Sequence, residues 1–179
     1  MGLWCRLFKC TPNKGATLPN SAVLGSGANE WGCTKDSKTG LTWEVKTEDG
    51  GLRDMNNVYT NYFSGETGYG SSDNSDAFVK AVNKKTLCGA ANWRMPTKDE
   101  LMKLVVCVDG KYNSDGSCVN VDTTINTTYF PNIPNLQGSF YWSSSPYPNY
   151  PDGASGIYFG YSGYDNDFKG TGNFVRLVR

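Results

Sequence analysis

The sequence predicts an α+β domain in which two helices pack on short antiparallel strands and disulfides brace the fold. Two amphipathic helix patterns lie between residues 76 and 105, and short strand-like runs precede and follow them. The chain has 179 residues, of which 38% are hydrophobic, and its six cysteines form an even set. A chain of this length buries roughly 70% of its unfolded surface, which is enough for a substantial core.

The N-terminal residues 1–30 are predicted to form an irregular arm, because they contain Pro12, Pro19 and several glycines. The arm is expected to be tied down by its cysteines, and the folded domain is expected to span residues 31–179. The first strand of that domain is predicted over Leu41–Lys46, where apolar and polar residues alternate with a period of two.

Two helices are predicted from capping residues and apolar periodicity. The first spans Asp76–Leu87, with Asn74 or Ser75 as its N-cap. The second begins at Thr97, which has the capping-box spacing to Glu100. The apolar faces consist of Phe78, Ala81 and Val82 in the first helix and of Leu101, Leu104 and Val105 in the second.

Three further strands are predicted late in the chain. They are Val119–Val121, Phe140–Trp142 and the closing strand Phe174–Val178, in which apolar residues flank a single arginine. The segment Thr123–Leu136 is rich in proline and asparagine and is therefore predicted to be a connection.

The six cysteines predict three disulfides and an oxidising compartment. Cys107 and Cys118 are expected to pair across the short polar loop between them, and Cys33 with Cys88 and Cys5 with Cys10 are the other expected pairs. The alternative is a reduced cytosolic protein with buried thiols. A zinc site is disfavoured because the chain has no His and no Cys-x-x-Cys pair.

The net charge of zero argues against partners that bind through the overall charge of the protein. Seventeen basic and seventeen acidic residues cancel, so nothing global attracts the protein to nucleic acid or to an anionic membrane. No run approaches the roughly 18 apolar residues of a membrane span, and Met1–Arg6 lacks the apolar core of a signal peptide. If the protein is exported, we expect that its export signal has been trimmed or replaced.

Sequence motifs for catalysis or cofactor binding are missing. There is no His for the common acid–base arrangements, and no phosphate-binding or dinucleotide-binding fingerprint. The loop Asp109–Ser117 resembles half of a calcium loop, but Lys111 stands where a second acid belongs. We therefore expect a protein without catalytic residues or cofactors, with weak calcium binding at this loop as the alternative.

The segment Ser139–Asn173 has the most unusual composition in the chain. It contains six Tyr, six Gly and six Ser, with three Asn and three Asp. Tyr supplies large, rigid contact area and the small polar residues supply adaptable hydrogen bonds, which is the composition of antibody paratopes. The alternative, a flexible polar linker, is disfavoured by the aromatic content and by the strand-like runs on both sides.

Four groups of residues occur in order along the chain. They are Asp36–Glu44; Cys88–Gly89 with Asn92–Thr97 and Glu100–Leu101; Tyr141–Ser145; and Val175–Arg179. Together they resemble the Legionella collagen-like protein C-terminal domain family from about Trp31 to Arg179, although Met95 replaces the leucine expected there. The resemblance implies an exported or surface-displayed, non-enzymatic domain with a C-type lectin-like fold of the formylglycine-generating-enzyme subtype. It implies a protein or glycan ligand on another cell or surface and allows a trimer.

The same fold and family also serve as the variable proteins of diversity-generating retroelements. In these systems an error-prone reverse transcriptase randomises adenines, so that template Asn codons emerge as codons for residues such as Asn, Asp, Ser, Gly and Tyr. The segment Ser139–Asn173 resembles that output, bounded by fixed-looking Tyr141–Ser145 and Phe174–Arg179. Ala154-Ser155 stands where the family has Ala-Trp, which indicates either a randomised codon or altered local packing.

A lectin-like framework holds an irregular loop surface whose residues can vary without unfolding the core. On this interpretation the framework residues are Trp43, Trp93, Arg94, Trp142 and Arg176. The candidate ligand-contact residues are Tyr147, Asn149, Tyr150, Asp152, Ser155, Tyr158, Tyr161, Tyr164, Asp165, Asn166 and Asp167. Tyr158 and Phe159 are expected to face opposite sides of the chain.

Three functional hypotheses follow. The first is a non-enzymatic, surface-displayed protein that binds its target through the Ser139–Asn173 segment. The second is an adhesin for sulfated glycans, which would need a basic patch such as Lys80, Lys84 and Lys85, because the segment itself has three Asp against one Lys. The third is an enzyme related in fold to formylglycine-generating enzymes, using a cysteine pair with copper, for which the sequence offers no motif.

Overall fold

The computed structural model describes residues 32–62, 73–114, 118–120, 123–134, 138–160 and 163–179. Within these residues the chain forms two α-helices and seven strands, with a 3-10 turn at Leu87–Gly89. In chain order they are β1 (Cys33–Lys35), β2 (Thr42–Glu44), α1 (Ser75–Lys84), α2 (Lys98–Met102), β3 (Val105–Cys107), β4 (Thr123–Ile125), β5 (Phe140–Pro146), β6 (Gly153–Tyr158) and β7 (Tyr164–Phe168). The predicted α+β class is confirmed as a small mixed fold of helices and antiparallel sheets.

The described strands form three antiparallel sheets. β1 pairs with β2 and β3 with β4, whereas β5, β6 and β7 form a three-stranded sheet in that order. β2 confirms the predicted first strand over a shorter range, since by Thr47 the chain has turned to donate its amide to Arg53. The three-stranded sheet is the largest element of the fold and carries most of the segment Ser139–Asn173.

The first predicted helix is confirmed with an earlier end. The side chain of Asn74 accepts the amide of Ala77 at 2.8 Å and so caps α1, which buries Phe78 and Val82. The helix ends at Lys84 because Thr86 adopts a left-handed backbone with φ of 48°, which breaks the helical hydrogen-bond pattern.

The second predicted helix is confirmed at its start. Thr97 and Glu100 form both hydrogen bonds of a capping box, at 3.2 Å and 2.8 Å. The predicted helical stripe is wrong at Leu104 and Val105, because α2 ends at Met102, Leu104 lies in the following turn and Val105 opens strand β3. The adjacent β-branched residues Val105 and Val106 favour that extended conformation.

The predicted strand Val119–Val121 is wrong in its described part. Val119 is exposed and lies outside the strands, and Val121 falls outside the described residues. The strand that pairs with β3 is instead Thr123–Ile125, inside the segment predicted as a connection, with Ile125 opposite Val105.

The predicted closing strand Phe174–Val178 is also wrong as an element of a sheet. The segment is extended, but it forms single bridges to several elements instead of one ladder: Phe174 with Tyr141, and Val178 with both Trp43 and Arg94. Its residues therefore connect β2, β5 and the segment that precedes α2.

Two hydrophobic clusters lie on opposite sides of β5. Trp142 belongs to the first, with Phe78, Trp93, Met95, Ala154, Val175 and Leu177. Tyr141 belongs to the second, with Trp43, Leu101, Ile125, Ile157, Phe159 and Val178. Tyr158 packs on the first cluster and Phe159 lies in the second, which confirms that these neighbours face opposite sides.

The residues predicted as framework include the largest buried side chains. Trp43, Trp93, Trp142 and Arg176 are at most 2% exposed, which confirms four of the five predictions. Arg94 differs because its side chain is 47% exposed, yet it binds Glu100 at 2.7 Å and thereby braces the cap of α2.

Two of the three predicted disulfides are confirmed. Cys33 pairs with Cys88 beside the first cluster, and Cys107 pairs with Cys118 in the second, where the S–S distance is 2.05 Å. The predicted pair Cys5–Cys10 and the rest of the arm at residues 1–30 lie outside the described residues.

A buried charge cluster joins β2 to the closing segment. Nζ of Lys46 lies 3.1 Å from Oε1 of Glu44, and Nη1 of Arg176 donates to the backbone oxygen of Glu44 at 2.7 Å. The amide of Leu177 donates to Oε2 of Glu44 at 3.0 Å. Burial lowers the pKa of Lys46 to about 8, although Glu44 opposes that shift.

Candidate ligand-contact face

The segment Ser139–Asn173 is more regular than the sequence suggests. It was expected to be an irregular loop surface, but it contains β5, β6 and β7 and shorter connections between them. Its residues are therefore positioned by strand register, and the elements that pack on each face of the sheet decide which of them reach solvent.

The register of β6 and β7 assigns each side chain to one of two faces. Gly153, Ser155 and Ile157 lie opposite Phe168, Asn166 and Tyr164 respectively, so these six share one face. The same face contacts α2, since Nζ of Lys98 lies 3.8 Å from the ring centroid of Tyr164. The other face carries Ala154 and Tyr158, which pack on the first cluster.

Beyond α2, the first face presents exposed aromatic rings. Tyr150, Tyr164 and Phe168 are 52%, 54% and 48% exposed, and Tyr147 is half-buried beside them. Large rings exposed to this extent on one sheet face are unusual in a protein that contacts no partner. We call Tyr147, Tyr150, Tyr164, Asn166 and Phe168 the aromatic face.

Two of these rings, those of Tyr147 and Tyr150, pack against Gly153. A Cβ at Gly153 would lie 3.1 Å from Cδ1 of Tyr147 and 3.3 Å from Cδ1 of Tyr150. The missing side chain therefore allows both rings to approach the β6 backbone. Across the strand pair, Gly153 lies directly opposite Phe168, so the three rings share one region of the sheet.

Ser155 differs from the other candidate contact residues because it is 6% exposed. Its hydroxyl lies 2.6 Å from Oδ1 of Asn166 and 3.3 Å from the backbone oxygen of Pro146. The hydroxyl of Ser155 thus holds the side chain of Asn166 by a hydrogen bond, and Ser155 itself is buried. This hydrogen bond gives Ser155 a structural role at the position where the sequence resemblance predicts Trp.

The remaining candidates fall into three groups. Asn149 and Asp152 are exposed in the turn between β5 and β6, and Asp165 is exposed on β7. Tyr158 is half-buried and packs on Phe140, with ring centroids 4.9 Å apart. Tyr161 lies outside the described residues.

The outer edge of β7 is covered by carboxylates. Lys169 donates its amide to Asp152 at 2.8 Å, so every second amide along β7 faces β6 and the amides of Asn166 and Phe168 face outward. The amide of Asn166 donates to Oδ1 of Asp165 at 2.8 Å, and that of Phe168 donates to Oδ1 of Asp167 at 2.7 Å. Asp167 also accepts from Asn173 at 2.8 Å and is half-buried.

Hydrogen bonds anchor the sheet beneath the face. Nε1 of Trp142 donates to the backbone oxygen of Tyr59 at 2.8 Å, and Asn61 donates to Ser143 at 3.0 Å. At the α2 end, the amide of Lys98 donates to Oγ of Ser145 at 3.0 Å. Variation of the exposed rings would leave these bonds in place.

Two residues of this region were missed by sequence reasoning. Phe168 is part of the aromatic face but is not one of the Tyr and small polar residues whose abundance indicates a binding surface. Lys98 was assigned to a helix start, and its contact with Tyr164 depends on tertiary packing. Tyr164, Asn166 and Phe168 are spaced two residues apart, and this period of two predicts that Phe168 shares a strand face with Tyr164.

The loop after β3 is the segment for which the sequence predicts weak calcium binding as an alternative. Asp109 accepts the amide of Lys111 at 2.9 Å and the side chain of Asn120 at 2.6 Å, and these bonds lower its pKa. Asp115 and Gly116 lie outside the described residues, and among the described residues no three or more metal-binding side chains are grouped together. All four described cysteines are in disulfides, so a copper site would have to use Cys5 and Cys10.

The basic residues proposed for sulfated glycans lie on α1. Lys80 is exposed and pairs with Asp76 at 2.6 Å, which partly neutralises it. Lys84 is exposed one turn later, and Lys85 follows at the end of the helix.

Comparison with known proteins identifies the family. No helix among the described residues is both long and apolar enough to cross a membrane. No significant match is found among curated proteins or solved structures. The model of the Lcl C-terminal domain matches residues 32–179, the range that holds both hydrophobic clusters, both described disulfides and the aromatic face. This chain therefore belongs to the Lcl C-terminal domain family.

Proposed function

We propose that the protein is a non-enzymatic, surface-displayed binding domain that contacts a protein or cell-surface target through its aromatic face. The observation that carries the proposal is the exposure of Tyr164 and Phe168 on β7 and of Tyr150 in the turn before β6, on the sheet face of Gly153. Membership in the Lcl C-terminal domain family supports surface association, and the disulfides suit an exported protein.

Physical chemistry favours binding at this face. Aromatic side chains contribute large contact areas with little loss of conformational freedom, and they are enriched among residues that dominate interface energies. The rings rest on Gly153 and are framed by buried residues, so the surface is largely organised before a ligand arrives. Such preorganisation reduces the entropic cost of binding.

The proposal extends to the fold subtype. The ordered family motifs, the mixed fold and the disulfides support a C-type lectin-like fold of the formylglycine-generating-enzyme subtype. An experimental structure with a different strand connectivity from that fold would contradict this part of the proposal and leave the binding face untouched.

We also propose that the exposed positions are diversified by a retroelement. Asn149, Tyr150, Tyr164 and Asp165 are exposed and belong to the residue types that adenine randomisation produces, whereas the neighbouring Trp142 is buried and of another type. Sequencing the gene neighbourhood tests the idea. A near-identical repeat that differs at adenines, beside a reverse transcriptase gene, is the expected result, and its absence would remove this part of the proposal.

The binding function is tested with a triple variant, Tyr150→Ser, Tyr164→Ser and Phe168→Ser, in a fluorescence assay on a panel of bacterial and animal cells. Because truncated aromatic anchors typically cost about 2 kcal/mol each, we expect at least about tenfold weaker binding. The matched control is Val58→Ser, Val108→Ser and Val119→Ser, which removes three apolar side chains that are 44%, 68% and 54% exposed elsewhere. Equal binding by the two variants would contradict the proposal.

A sulfated-glycan adhesin remains the alternative function, since Lys84 and Lys85 end an exposed helix. Retention on heparin that falls with salt and is lost in Lys84→Gln would favour it. No retention at low salt would remove it.

A further inference from the structure

We propose that the aromatic face binds a protein segment that presents a carboxylate, and that Lys98 is the residue that receives it. This inference rests on the proposed function, because it names the class of partner for the same face and a contact residue outside the Ser139–Asn173 segment. It follows from the path of the Lys98 side chain, from the hydrogen-bond donors on the face, and from the positions of the nearby carboxylates.

The side chain of Lys98 reaches across the three-stranded sheet. Its backbone amide donates to Oγ of Ser145 in β5 at 3.0 Å, whereas its Nζ lies 3.8 Å from the ring centroid of Tyr164 in β7. Because β6 lies between these two strands, the lysine stem passes over the middle strand and places its ammonium group on the aromatic face. The cation on this face is therefore supplied by α2.

Ser155 leaves this path open. It lies on β6, on the same face as Tyr164, and its short side chain is hydrogen-bonded to Asn166. Ser155 is 6% exposed, so this part of β6 is covered by other groups. Because protein interiors are closely packed, a large side chain at position 155 is expected to displace what covers it, including the stem of Lys98.

The ammonium group of Lys98 is available to a ligand. Lys98 is half-buried, and none of the carboxylates that the structure describes forms an ion pair with it. The Tyr164 ring stabilises the positive charge from one side. An ammonium group has several N–H donors, so contact with one ring leaves donors for an anion.

Asn166 adds a second donor to the same region. Its Oδ1 lies 2.6 Å from the hydroxyl of buried Ser155, so its Nδ2 group points away from that hydrogen bond. Asn166 follows Tyr164 by two residues on the same face, which is about 7 Å along a strand. An acidic side chain that lies across this part of the face can therefore accept from Lys98 and Asn166 together.

The carboxylates of β7 do not share this face. By the strand register, Asp165 and Asp167 lie on the other face of the sheet, and Asp152 stands opposite Lys169 across the strand pair. The charged side chain that the structure places on the aromatic face is thus the cation of Lys98. Attraction between opposite charges favours a carboxylate of the partner over a lysine or arginine.

A protein segment fits this face better than a sulfated polymer. A sulfated glycan carries many negative groups and is bound by clusters of basic residues. The aromatic face instead has Lys98 beside the exposed rings of Tyr150, Tyr164 and Phe168. Such rings pack on apolar side chains of a protein partner, and a charge pair fixes the orientation. The combination predicts acidic residues next to apolar residues in the target.

The test measures binding of a fluorescent peptide in which Glu alternates with Leu, by anisotropy with the full chain. The same peptide with Gln or Arg in place of Glu is measured in parallel. At about 0.02 M salt we expect the Glu peptide to bind about threefold more tightly than the Gln peptide, which is the effect of one partly exposed ion pair, and the Arg peptide to bind most weakly. Salt at about 0.3 M should reduce these differences.

Lys98→Met removes the charge and keeps a long, flexible side chain. It should lower the affinity for the Glu peptide to that for the Gln peptide and leave the affinity for the Gln peptide unchanged. The matched control is Lys103→Met, since Lys103 is an exposed lysine at the end of the same helix. The control should keep the preference for Glu. Thermal unfolding of each variant checks that the fold is kept.

Ser155→Trp tests the path of the lysine stem. The indole ring should displace the stem, so the preference for the Glu peptide should disappear, and adding Lys98→Met should change the affinities no further. If Ser155→Trp does not fold, the comparison of Lys98→Met with Lys103→Met still decides the proposal.

Equal affinities for the Glu and Gln peptides at low salt, or equal losses in Lys98→Met and Lys103→Met, would overturn the inference. Loss of heparin retention in Lys98→Met, without any preference for the Glu peptide, would assign the cation to sulfated glycans and overturn it as well. In the cell assay, the Glu peptide should compete with the target. If the triple ring variant loses cell binding but Lys98→Met does not, the inference fails and the proposed function stands.

Discussion

The amide of Asn166 donates to Oδ1 of Asp165, 2.8 Å away, on the side of β7 that faces away from β6. An edge strand with unoccupied amides is a template for pairing with a second chain. Such pairing would need the amide of Asn166, which already donates to the carboxylate of Asp165. The amide of Phe168 donates to Asp167 in the same way.

We predict that Asp165→Ala increases self-association. The substitution releases the outward amide of Asn166 and removes a charge from the edge, so a second copy can pair with β7. Sedimentation velocity over a range of protein concentrations should show larger species than for the unsubstituted protein. Glu48→Ala, which removes an exposed carboxylate from a loop, serves as the control. Identical sedimentation of all three proteins would contradict the prediction.

Gly156→Ala should destabilise the fold by about 2–3 kcal/mol, because overpacking a filled site forces neighbouring groups apart. A Cβ at Gly156 would meet the backbone oxygen of Tyr141 and lie 2.5 Å from Cζ of Phe140. Urea unfolding measures the change in free energy. The control is Gly138→Ala, where a Cβ meets nothing within 4 Å among the described residues. A loss at Gly156 no greater than that at Gly138 would show that the sheet relaxes around the methyl group.

Glu100→Gln should lower the free energy of unfolding at pH 7 by about 1 kcal/mol, because the ion pair with Arg94 is partly exposed to solvent. Hydrogen bonding by Arg94 lowers the pKa of Glu100 from its ordinary 4.5 to about 2. The stabilisation is therefore fully present above pH 4.5 and is lost as the pH falls toward 2. Urea unfolding at several pH values should show the two proteins converge across that window. A difference in the free energy of unfolding that does not change with pH would show that Glu100 stabilises the fold through the helix cap and not through its charge.

The two disulfides should contribute unequally to stability. Cys33 and Cys88 are 55 residues apart and Cys107 and Cys118 are 11 apart. The chain-entropy model gives about 4 kcal/mol for the longer loop and about 3 kcal/mol for the shorter one. Thermal unfolding of the two double Cys→Ala variants should therefore show a larger loss for the first pair. The opposite order would mean that packing around the sulfur atoms outweighs loop closure.

The local signals in the sequence predicted local structure well. Thr97 and Glu100 formed the predicted capping box, and Asn74 capped α1, because both depend on residues three positions apart. The pairing of Cys107 with Cys118 followed from the short loop between them. The end of α1 was less predictable, since it depends on the left-handed backbone of Thr86.

Tertiary contacts decided the rest. β6 and β7 consist largely of Gly, Ser, Asn and Asp, which have low strand propensity, so their register is set by neighbours such as Tyr141 opposite Ile157. Phe174–Val178 has the composition of a strand, but Phe174 forms a bridge to Tyr141 of β5 whereas Val178 forms bridges to Trp43 and Arg94. For the site, composition located the segment. Tertiary packing then separated exposed Tyr164 from Ser155, which lies on the same sheet face but is buried and hydrogen-bonded to Asn166.

The residues Phe174–Arg179 complete the core only after the Ser139–Asn173 segment has been translated. Val175 and Leu177 complete the first hydrophobic cluster, and Val178 completes the second. These residues are translated after the Ser139–Asn173 segment, so a stop codon or frameshift within that segment would delete them. Chains with such errors would leave both clusters open and fail to fold. Translation to the end of the domain is thus a condition for folding, and under the proposed diversification only in-frame sequences would give a folded domain.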